Sequence, residues 1–149
     1  MATVQRRVLD AVVDRLRALP AIVPKPSDRI RIAHRSPITR ENSPSVRVIP
    51  IEDDESGGGK GECVARRLRF TVQVIGRDDG GIESIDALLV DVLARLKPTR
   101  NDAIPYPTGV RLHPPGRVRF EDEMADADVA LAEISFEATY NVAEWSLEA

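Results

Sequence analysis

At 149 residues, with 42% hydrophobic and 30% charged side chains, the chain is long enough to bury one real core, too short for two ordinary domains and too apolar for wholesale disorder. Three Phe, two Tyr and one Trp leave the interior to aliphatic side chains and provide no platform for stacked bases, which disfavours sequence-specific single-strand binding. The formal charge of -3 hides an asymmetry that says more than the sum. Lys25 to Arg47 carries six basic residues against two acidic ones, whereas no Lys or Arg follows Arg119 and every charge there, from Glu121 to Glu148, is acidic. The two ends read equally as solvated surfaces or as complementary halves of a subunit contact. Cys63 is the only cysteine, so no intrachain disulfide can form and a secreted disulfide scaffold is excluded. The N-terminal apolar residues are spaced helically, unlike a signal peptide, and no apolar run approaches the ~18 residues of a membrane span. Synthesis in the cytoplasm, with no membrane partner, is the expectation.

In chain order, Thr3 is placed to cap a helix whose apolar face is Val8, Leu9, Val12, Val13, Leu16 and Leu19, with Arg6 and Asp10 as an i,i+4 pair and Pro20 as its stop. Ala21 to Ser45 is broken by prolines. Within it Ile30 and Ile32 alternate with Arg29 and Arg31, predicting a short strand with a basic outward face. His34 has no ligand partners near it in sequence and reads as a polar residue at a strand end. Val46, Val48 and Ile51 predict another short strand, which Pro50 assigns to a sheet edge.

Glu52 to Glu62 is acidic and glycine-rich and predicts a mobile loop. Its Gly-Lys pair lacks the hydroxyl residue and upstream glycine of a phosphate-binding loop, because Gly61 follows Lys60 and Asp54 takes the earlier position.

The strongest periodic signals follow. Leu68, Phe70, Val72 and Val74 alternate with Arg67, Arg69, Thr71 and Gln73, predicting a half-buried strand. After an Asp-Asp-Gly-Gly turn, Ile82, Ile85, Leu89, Val92 and Leu96 recur at helical spacing until Pro98. Thr99 to Pro107 is a polar connection. Val110, Leu112, Val118 and Phe120 flank a bend at His113 to Gly116, with His113 as a turn residue. Glu121 to Asp128 holds five carboxylates in eight residues but lacks the glycine and terminal glutamate of an EF-hand. It predicts a solvated acidic turn, at most with a weak Mg²⁺ contact at a subunit junction. Ala130, Ala132, Ile134, Phe136, Ala138, Tyr140 and Val142 then share one face of a long strand opposite Glu133, Ser135, Glu137 and Thr139. Trp145 lies in a short acidic tail, about 143–149.

The expected fold is therefore α+β: a single domain over 1–149, with a mixed, mainly antiparallel sheet and both helices on one face. No catalytic, cofactor or metal site is legible, since neither His34 nor His113 sits in a motif that activates a nucleophile.

The order of elements resembles the tail terminator proteins of long-tailed bacteriophages and prophages, of the minor tail protein U type. The resemblance is carried by Thr3 to Leu19, Arg66 to Leu96 and the closing strands with the segment RVRFEDEMADADVALAEISFEATY; the proline-rich Ala21 to Ser45 departs from it. It implies a non-enzymatic virion protein, made in the host cytoplasm and placed at the head-proximal end of the tail. There a homo-oligomeric, hexameric ring caps the tail tube, ends its polymerisation and meets the head completion protein, with DNA passing through the lumen unread. On that expectation Arg29 and Arg31 complement Glu121, Asp122 and Glu123 between subunits. The loop with Asp53, Asp54 and Lys60 meets the tail tube protein. Arg67 and Arg69, facing Glu133 and Glu137, line the lumen or the next subunit. Competing expectations are another head-tail connector, a small enzyme using carboxylates, and a nucleic-acid-binding module built on Lys25 to Arg47.

Overall fold

A computed structural model describes residues 2–18, 30–32, 45–57, 63–77, 81–102, 104–122 and 129–143, with the backbone alone for 77, 81–84, 121, 122 and 129. Helix α1 spans Val4–Arg17, strand β1 Ile30–Ile32, β2 Ser45–Glu55, β3 Cys63–Arg77, helix α2 Gly81–Leu96, and strands β4, β5 and β6 Arg111–Leu112, Arg117–Asp122 and Val129–Ala143. The fold is the expected α+β arrangement.

The strands form one six-stranded sheet in the order β1-β2-β3-β6, with β4 and β5 both paired to β6. Among the described strands only the β1–β2 pair is parallel. The sheet is built around the β3–β6 ribbon, where the two long alternating segments run antiparallel from Cys63 opposite Ala143 to Arg77 opposite Val129. Because the period is two, this register places Leu68, Phe70, Val72 and Val74 on one face with Ala138, Phe136, Ile134 and Ala132. All eight are buried. Both helices lie on that face. Val8, Val12 and Leu16 of α1 and Ile85, Val92 and Leu96 of α2 join the same core cluster, and the small Ala132 and Ala138 let them approach closely.

Local chemistry explains the helix ends. The Thr3 side chain accepts from the Arg6 backbone N–H at 3.2 Å, capping α1, and Arg6 pairs with Asp10 at 3.1 Å. Near the other end of α1, Arg17 Nε and Nη2 donate to the Ile30 carbonyl at 3.0 and 2.7 Å, fastening β1. Gly109 adopts φ +81° where the Val110 N–H bonds the Pro107 carbonyl, a tight turn that needs a residue without a Cβ.

Two expectations are corrected. β2 is an interior strand between β1 and β3, not an edge. Pro50 is tolerated because the β2–β3 register shifts between Pro50 and Glu52, and β1 pairs only with Val46 to Val48. The loop expected from Glu52 starts later: Glu52, Asp53, Asp54 and Glu55 continue β2, paired with Arg69, Leu68, Arg67 and Arg66. Alternating acid on β2 against arginine on β3 extends the ladder where composition alone predicted a loop. Glu121 and Asp122, expected in an acidic turn, likewise extend β5 opposite Leu131 and Ala130. Arg29, His34, Lys60, Glu123, Asp128 and Trp145 lie outside the described residues, as does most of the shortened loop.

Candidate functional site

The face of the sheet away from the helices is polar, and strand register builds it. Arg69 on β3 lies opposite Glu52 on one side and Glu137 on the other. Its Nη1 reaches Glu52 Oε1 at 2.7 Å and its Nε reaches Glu137 Oε1 at 3.3 Å. Arg67 donates to Asp54 at 3.2 and 3.4 Å. This bond holds the Asp54 carboxyl below its ordinary range and raises Arg67. Gln73 Nε2 donates to Glu133 Oε1 at 2.6 Å, so Glu133 is matched to an amide rather than to either expected arginine. On the same face His113 Nε2 lies 2.9 Å from Thr139 Oγ1, and the His113 N–H donates to the Glu137 carbonyl at 2.9 Å, which ties the bend after β4 onto β6. A groove of about 490 Å³ crosses this face, lined by Ile51, Arg69, Thr71, Arg117, Ser135 and Glu137 among others.

Asp53 is separate from this face. The register sets it opposite Leu68, on the helix side, where Gln5 of α1 donates to it at 2.7 Å, Arg66 of β3 donates to its other oxygen, and the Tyr140 hydroxyl of β6 donates to Oδ2. Only 9% of its side chain is exposed. Burial and the bond to Asp53 raise the Tyr140 hydroxyl above the ordinary range. Asp53 therefore closes one end of the core.

The sheet edges supply the remaining pieces. Arg31 lies in β1 at one edge, while β5, which leads into the acidic segment, pairs with β6 at the opposite side. On β5, Val118 and Phe120 stand opposite Ile134 and Ala132, both fully buried, yet they are 44% and 50% exposed.

Sequence reading missed a clamp at the far end of α1. Arg15 is 7% exposed and donates to the carbonyls of Arg95, Lys97 and Ile104, each at 2.9 Å. It pairs with Asp102 at 2.9 Å and lies 4.5 Å over the Tyr106 ring. Its signal was a charge on the apolar stripe, one position before Leu16 and three after Val12. It caps the C-terminus of α2 with positive charge and fixes the connection back to the sheet. Among the described residues no cluster of three or more His, Cys, Asp or Glu side chains could hold a metal ion, and no helix is long and apolar enough to cross a membrane.

No protein-family model matches the sequence, and no curated protein matches it. Among solved structures, a chain of the virion of a native gene transfer agent (GTA) particle is similar in fold, with a TM-score of 0.61 over 91% of this chain and 95% of that one, at 17% sequence identity.

Proposed function

We propose that the protein is a phage-type virion structural protein of the tail terminator kind. In this reading a ring of its copies caps a finished tail tube, stops polymerisation and joins the tail to the head completion protein. The observation that carries the reading is the likeness of almost the whole fold to a chain of a gene transfer agent virion. The strand order adds a physical reason: β1 and β5 lie on opposite sides of one sheet, β1 within a basic-rich segment and β5, past its Arg117 and Arg119, leading into an acidic one. Two unlike, complementary patches are what a heterologous contact requires, and such a contact closes into a ring when its rotation permits.

On this reading the protein acts through binding geometry, not catalysis, and needs no cofactor. It resides in the virion at the head-proximal end of the tail after synthesis in the host cytoplasm, with DNA passing the lumen without sequence recognition. Another connector or tail completion subunit is the nearest competing role. Native mass measured across a concentration series, with and without tail tubes, tests the reading. A closed hexamer that binds tube ends and limits tube length supports tail termination. A ring that binds only the head side favours another connector, and a protein that stays monomeric beside tubes refutes ring formation.

A further inference from the structure

A β-strand at the side of a sheet leaves hydrogen-bonding groups and side chains without a neighbour, and stable monomers blunt such strands with Pro, Lys or inward charges. The segment Arg117–Asp122 contains neither Pro nor Lys, and its one charge in helix-side register, Asp122 opposite Ala130, stands at its far end. On the helix side it presents Val118 and Phe120, whose register partners Ile134 and Ala132 are fully buried. The core layer thus runs out past β6 and stops half-covered. Among the described residues the other exposed large hydrophobics, Ile51 and Val90, lie on β2 and α2, so β5 alone carries two in alternation.

Charge indicates what covers it. β5 begins with Arg117 and Arg119 but ends in Glu121 and Asp122, and the sequence beyond them is acidic with no basic residue, whereas β1 carries Arg31 within a stretch of six basic and two acidic residues. β1 and β5 belong to the same sheet on opposite sides of the β3–β6 ribbon.

We propose that β5, through Val118 and Phe120, is the docking surface for a second copy of this chain, which presents its β1 side, so that neighbouring subunits join head to tail. The inference rests on the ring-forming reading above and names the surface that makes the contact. It places hydrophobic anchors at the centre of the contact and opposite charges at its rim, the arrangement that gives affinity to the first and orientation to the second.

Sedimentation velocity on the wild type, Phe120→Glu and Arg31→Glu, each across a concentration series, tests it. Phe120 is half-exposed, so its variant keeps the wild-type melting temperature while the concentration needed for assembly rises roughly tenfold or more. Arg31→Glu is impaired in the same direction. Mixing the two variants is decisive: each keeps the half that the other has lost, so a head-to-tail contact yields discrete dimers. Phe120→Ser and Arg31→Gln replace any variant that loses its melting transition. Wild-type rings unchanged by Phe120→Glu overturn this surface while sparing the ring reading. Loss of assembly in Phe120→Glu alone, without rescue on mixing, overturns the head-to-tail geometry in favour of β5 meeting β5. A wild type that never associates overturns both the surface and the ring.

Discussion

Phe70 on β3 and Phe136 on β6 stack across the central ribbon, with ring centroids 5.5 Å apart and planes inclined by 15°. They are direct register partners midway along the ribbon and are 1% and 3% exposed. Replacing either with Ala leaves a cavity under both helices and is expected to cost roughly 3 to 5 kcal/mol. The double variant should cost less than the sum of the singles, because each single already breaks the stack. Urea denaturation of the three variants checks both statements.

Arg15 and Asp102 make a second stability prediction, this one dependent on pH. Bonds from Arg15 and then from Thr99 hold the Asp102 carboxyl well below the ordinary carboxylate range. A depressed folded-state value stabilises the fold above the unfolded value, near pH ~4, and that stabilisation is lost as pH falls through the folded value. Asp102→Asn should therefore melt below the wild type at pH 7, and the two curves should converge in strong acid. Arg15→Ala removes the buried cation and its three carbonyl contacts and is expected to cost roughly 3 to 5 kcal/mol. Thermal melts from pH 2 to 8 measure these differences.

Asp53 should behave as a core residue. Asp53→Ala leaves Gln5, Arg66 and Tyr140 without their shared acceptor, at an expected cost of roughly 1 to 3 kcal/mol. Asp54→Ala, on the open face and 42% exposed, should change stability much less, because solvent screens its pair with Arg67. Equal melting temperatures for the two variants would contradict the division between the faces.

Glu137→Lys places a cation opposite Arg69, whereas Glu133→Lys meets Gln73. Destabilisation is expected to be larger for the first, by roughly 0.2 to 1 kcal/mol, because only there do like charges face each other. If the polar face also meets another subunit, Glu137→Lys should impair assembly more than folding. Parallel melting and sedimentation measurements separate the two effects.

The elements with long, clean periodicity were legible: the Thr3 cap, both helices, the β3–β6 alternation and the single covered face follow from spacing alone. What stayed hidden depends on pairing between distant residues. Asp53 and Asp54 are neighbours in an acidic run, but strand register sends one to the core and the other to the open face. Glu52 to Glu55 looked too polar for a strand because their stabilising partners, Arg66, Arg67 and Arg69, are supplied by β3. The bulge next to Pro50 replaced an edge as the way to accommodate proline. Arg15 gave a local hint, a charge within an apolar stripe, but nothing local identified Asp102 or the α2 carbonyls as its partners.

The position of β6 also constrains how the chain acquires its shape. β6 is the last described strand, yet it lies inside the sheet, with β3 on one side and β4 and β5 on the other. Neither β4 nor β5 has a described partner until it arrives. At the near end of the ribbon, Arg77 meets Val129 across an intervening helix and two strands, so closing the ribbon carries a chain-entropy cost before its contacts repay it. During synthesis the apolar faces of β3 and α2 are complete long before the strand that covers them. The sheet therefore closes late and cooperatively, and the interval before closure is when the chain is most exposed to pairing with the wrong neighbour.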